Sequence, residues 1–117
     1  MAIQITAKNS HLLPGEIQAL LKNIGKNIQL SRKRREMSQA DLAKAMFVTR
    51  QTVSRLENGE PSIAMATLLL AVFCLQREKE LLGLLAPEND KLGMFLDTQR
   101  QEKRKAIKRR KRDDLDF

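Results

Sequence analysis

Apolar residues recur with helical spacing along most of the chain. From Glu16 onward, Ile17, Leu20, Leu21, Ile24 and Ile28 fall at i, i+3, i+4, i+7 and i+11, one stripe of a helix that continues to Arg35. Pro14 suits the start of that helix, since proline favours a first helical position. Its first two turns, Ile17 to Ile24, face either a partner subunit or later helices of the same chain. Ser38 is a good N-cap for a second helix, and Asp41 resembles the acidic half of a capping box. Leu42, Ala43 and Met46 then form a narrow inward stripe. Thr49 is a second N-cap, Val53 and Leu56 give the third helix its inner face, and Gly59 closes it where φ > 0 is usual. After Glu60-Pro61-Ser62, residues 63–75 are nearly continuous apolar sequence, which predicts a helix buried on most sides. Leu81, Leu82, Leu84 and Leu85 suggest a short fifth helix before Pro87, and they exceed what one small core absorbs, which favours a homodimer.

Against this inner pattern the third helix turns Arg50, Gln51, Thr52, Arg55 and Asn58 outward. Arg and Gln carry the donors and acceptors that match base edges in the major groove, so Arg50, Gln51 and Arg55 are the candidate base readers. Thr52 suits phosphate, and Asn58 and Gln39 sit near helix ends, where phosphate is the nearer target. On composition alone these side chains would read as an ordinary solvated helix face. Lys33, Arg34 and Arg35, at the end of the first helix, complement its dipole and are further candidates for phosphate.

Composition narrows the partners. A net charge of +8 over 117 residues attracts polyanions, of which nucleic acid is the default. With no Trp or Tyr the core must be aliphatic, which fits a helical bundle better than a β-sandwich. An enzyme would need a nucleophile with its base, a metal cluster or a phosphate-cradling glycine loop. The chain has one His and one Cys, its glycines are isolated, and neither catalysis, a cofactor nor a metal site is expected. Cys74 reads as a buried thiol in a reducing compartment. The apolar run 63–75 is too short to span a bilayer and no secretory signal is legible, so a soluble, cytoplasmic protein is expected.

The segments "SQADLAKA" and "VTRQTVSRLENGEPS", with Arg32 upstream, resemble the helix-turn-helix of the lambda-type phage repressor and Cro family, over roughly residues 24–75. The resemblance implies an all-α, five-helix domain that reads a palindromic operator in double-stranded DNA as a dimer. It also implies that Arg32 pairs with Glu57, tying the first helix to the end of the recognition helix. One residue departs from the pattern: Phe47 stands where the family usually has Gly. A left-handed backbone is strained with Phe, so the turn is expected either to take another shape or to bury the ring. Within the family, "SQADLAKAM", "VTRQTVSRLENGEPSIAMATLL" and "LLGLLAPENDKLG" look most like the HipB-type antitoxins encoded beside HipA-like kinase toxins. The implied function is an autoregulating repressor and antitoxin; the alternative is a plain helix-turn-helix regulator with no toxin partner.

The resulting organisation is an N-terminal extension over 1–15, a helix-turn-helix domain over 16–86 and a basic tail over 87–117. In the extension, residues 2–6 alternate as a short strand would, and His11 is a lone loop residue. In the tail, Leu92, Met94, Phe95 and Leu96 form a small apolar cluster suited to docking on protein. Nine Lys or Arg stand against one Glu between Arg100 and Arg112. Such a block repels itself, so the tail is expected to be disordered until binding makes it helical.

Overall fold

The computed structural model describes residues 12–115 and is all-α among them; the expected strand at 2–6 and His11 lie outside the described residues. Four helices make the first of two compact units, which divide between Lys79 and Glu80. They are α1 (Gly15–Arg34), α2 (Gln39–Met46), α3 (Arg50–Glu57) and α4 (Met65–Cys74). Pro14 stands one residue before α1, its ψ of 145° marking the entry to the helix.

The core of this unit is aliphatic. Ile28 of α1, Leu42, Ala43 and Met46 of α2, Val53 and Leu56 of α3, and Ala71 and Leu75 of and beside α4 are buried together. Met37, Val48, Ile63, Leu68 and Cys74 pack against them. Helices α1 and α3 approach closely at Gly25: a Cβ built there would lie 2.3 Å from the carbonyl oxygen of Glu57. The end of α3 therefore rests on the backbone of α1.

The packing bears on three of these expectations. The run 63–75 is not buried on most sides: in α4 only Ala71 is buried, while Met65 and Phe73 are 75% and 62% exposed. The physical reason is the size of its neighbour, since α4 packs chiefly on the eight-residue α2, which covers one face and leaves the other open. In the first turns of α1, Ile17, Leu20 and Ile24 are exposed, while Leu21 is half-buried where Gly59 meets its backbone. The short fifth helix expected before Pro87 is present as a 3-10 helix, Glu78–Gly83, with Leu84 and Leu85 just after it, and Leu82, Leu84 and Leu85 are exposed.

The second unit holds a further 3-10 turn, Pro87–Asn89, and α5 (Lys91–Leu115). The basic tail is thus one 25-residue helix rather than a disordered segment. Asp90 starts it by accepting from the Gly93 N–H, and after Gly93 the sequence is rich in Lys, Arg, Gln, Glu and Leu, strong helix formers with no interior Pro. Every residue of α5 other than Gly93 is exposed.

Candidate nucleic-acid interface

The two helices of the motif are fixed by their own side chains. Ser38 Oγ accepts from the Asp41 N–H at 3.0 Å while the Asp41 carboxylate accepts from the Ser38 N–H at 2.9 Å, a complete capping box. These bonds hold the Asp41 carboxyl below the usual carboxylate range, the Ser38 backbone contributing most. Thr49 Oγ1 accepts from the Thr52 N–H and starts α3. Between them Phe47 closes α2 in the left-handed region, φ 58° and ψ 41°, with its ring 95% exposed. Both alternatives expected for this residue fail: the turn keeps the shape that glycine favours, and the ring is not buried to hold it. Its backbone explains the shape, because Phe47 N–H donates to Lys44 O and Val48 N–H to Ala43 O, the bonds that end a helix on a left-handed residue.

An ion pair anchors the far end of α3. Arg32 Nε lies 2.7 Å from Glu57 Oε2 and its Nη2 3.0 Å from Oε1, both side chains buried. Arg32 also donates from Nη1 to Met37 O, so one guanidinium ties α1, the α1–α2 turn and α3. The hydrogen bond to Glu57 holds Arg32 protonated more strongly than usual, against the desolvation that opposes its charge.

The same carboxylate carries an outward extension. Gln39 Nε2 donates to Glu57 Oε1 at 3.0 Å, and Gln39 Oε1 accepts from Arg50 Nη1 at 3.3 Å. Gln39, expected at phosphate, is thus half-buried and engaged at both ends of its amide. Arg50 and Gln51 are exposed at the start of α3. Arg55, expected beside them, is turned instead to the α3–α4 loop: its Nε is 2.6 Å from Glu60 Oε2 and its Nη2 2.7 Å from Ser62 Oγ. An acidic neighbour three residues past the helix thus holds the guanidinium in this structure. Thr52 is half-buried with its hydroxyl 3.0 Å from that of Thr49, so it serves the cap first. Asn58 is exposed at the end of α3, Lys33 and Arg34 are exposed on α1, and Arg35 donates to Ser31 O.

Gly25 was missed by pattern reading, although an isolated glycine inside a helical stripe is itself a packing signal. So were Glu60 and Ser62, whose role depends on a loop that brings them back over α3. Among the described residues no group of His, Cys, Asp and Glu could hold a metal ion, and no helix is long and apolar enough to cross a membrane.

No curated protein and no solved structure gives a significant match to the chain. Residues 28–73, from the middle of α1 to the end of α4, match the family model described as Helix-turn-helix, which supports a lambda-repressor-like domain in this segment and, through it, a DNA-binding transcriptional regulator.

Proposed function

We propose that the chain is a sequence-specific repressor that binds a palindromic operator as a homodimer and acts as the autoregulating antitoxin of a HipBA-like toxin-antitoxin module. The observation that carries the DNA part is the exposed pair Arg50 and Gln51 at the capped start of α3, on a helix anchored by the buried Arg32–Glu57 pair. A rigidly seated helix N-terminus with such side chains suits the major groove. In this reading Arg50 and Gln51 contact bases, while Lys33, Arg34 and Asn58 contact phosphates. Gln39 positions Arg50, and Arg55 braces the loop after α3.

A single recognition helix reads only a few base pairs, so useful specificity needs two copies on half-sites about one helical turn apart. The open faces of α1 and α4, and the exposed Leu82, Leu84 and Leu85, supply apolar surface for pairing. The toxin part rests on the resemblance to HipB-type antitoxins and on exposed Leu92, Phe95 and Leu96 at the start of α5, which phosphate contacts do not use. A kinase-type toxin is the partner proposed for them.

The test is direct. The full chain is used to select duplexes from a random-sequence pool, and its mass is measured by light scattering free and bound. A palindromic consensus and a dimer at micromolar concentration are expected. A monomer that binds DNA one to one removes the dimeric reading, and failure to retain the kinase encoded beside it on co-expression removes the antitoxin reading.

A further inference from the structure

Phe47 combines two properties that folding alone does not favour. Its backbone lies in the left-handed region, where a Cβ is strained and glycine is not, and its ring is 95% exposed to water. The turn needs a left-handed residue; nothing in its hydrogen bonding needs a ring. Glu36, Gln76 and Leu85 also have positive φ. Glu36 and Gln76 place polar side chains in solvent, and Leu85 belongs to the other unit. Phe47 alone of the four stands inside the helix-turn-helix.

Its neighbours indicate what the ring meets. Lys44 lies three residues before it and Arg50 three after it, both exposed. Chain geometry keeps the Cα of Phe47 within about 10 Å of that of Arg50. An apolar ring flanked on both sides by cations fits a partner with an anionic, partly apolar surface better than it fits an apolar protein pocket. The DNA backbone is such a surface: deoxyribose presents C–H faces between phosphates, and an aromatic edge carries partial positive charge toward their oxygens.

We infer that Phe47 is a DNA-contact residue whose ring packs on the sugar-phosphate strand bordering the groove that α3 enters, an inference that rests on the DNA-binding reading of that helix. The contact adds affinity through burial of apolar area and carries neither charge nor sequence information. It also accounts for a side chain other than glycine at this backbone position.

The experiment compares the full chain with its Phe47→Gly and Arg50→Ala variants. Melting is followed by circular dichroism, and binding by anisotropy at several salt concentrations. The probes are a duplex selected by the unmodified chain and a random duplex of equal length. Phe47→Gly is expected to melt at or above the original temperature and to bind both duplexes roughly three- to tenfold more weakly, with an unchanged salt slope. Undiminished binding overturns the inference, and so does a loss of affinity that accompanies a loss of melting temperature. If Arg50→Ala loses its preference for the selected duplex while Phe47→Gly is neutral, only the role of the ring fails. If neither variant changes binding, or the chain selects no duplex, the DNA-binding reading of α3 fails with it.

Discussion

At the scale of single residues, one carboxylate organises the candidate interface. Glu57 accepts from Arg32 and from Gln39, and Gln39 in turn accepts from Arg50, so a buried pair and an exposed arginine share one chain of hydrogen bonds. Glu57→Ala should destabilise the domain by about 3–5 kcal/mol, because it leaves the Arg32 guanidinium buried without its counter-charge; a melting curve checks this. If melting is unchanged while operator binding is lost, Glu57 is a functional residue and not an anchor. Arg50→Ala and Gln51→Ala act differently. Each should cost about 1–3 kcal/mol on the operator and little on random DNA, as removal of a base contact does. Arg55→Ala should show the smaller discrimination loss of the three, since its guanidinium is held by Glu60 and Ser62, and parallel titrations on both DNAs decide the order.

At the scale of elements, the motif is built from short helices that need their ends fixed, and α2 is the plainest case. Its capping box depends on the ionised Asp41, whose pKa is lowered in the folded state by the Ser38 backbone bond. The box therefore contributes stability in full above the ordinary Asp range and loses it as the pH falls below that range. The melting difference between the original and Asp41→Ala should shrink on acidification, and a pH-independent difference would remove the charge from the explanation. The α1–α3 contact gives a second element-scale expectation. Gly25→Ala gains helix propensity, yet its Cβ meets backbone atoms of Glu57 and Leu56 that cannot yield as a side chain would. A net loss of about 1–3 kcal/mol is expected, read as a lowered melting temperature.

These same elements mark how far the sequence is legible. Caps and stripes are local signals, and Ser38, Asp41, Thr49, Val53, Leu56 and Gly59 take the places their spacing predicts. What depends on tertiary reach is not local: the capture of Arg55 by Glu60, the double engagement of Gln39 and the open face of α4 each require knowing which neighbour arrives and how large it is. Phe47 belongs to both kinds. Its departure from the usual Gly is visible in the sequence, but whether its ring is covered is decided only by the packing around it.

At the scale of the whole molecule, the chain divides its charge from its core. The first unit contains the helix-turn-helix and its buried cluster, while α5 carries nine Lys or Arg between Arg100 and Arg112 on a fully helical segment. A helix of 25 residues is about 38 Å long, enough to lay its basic part along several phosphates beside an operator. Each phosphate neutralised adds about 0.9 to the salt slope of binding, so even three or four contacts are measurable. Leu92, Phe95 and Leu96 at the other end of α5 add nothing to that slope, and their exposure suits a protein partner. Truncation after Pro87 removes both ends of the helix and leaves the first unit with its own core. The shortened protein should still prefer its operator over random DNA, because Arg50 and Gln51 are retained, but with a flatter dependence of affinity on salt. Under the proposed antitoxin role, it should also fail to inhibit or retain a kinase-type toxin. A salt slope equal to that of the full chain would take DNA away from α5, and toxin binding that survives the cut would move the docking surface back onto the first unit, where the open face of α4 is the next place to mutate.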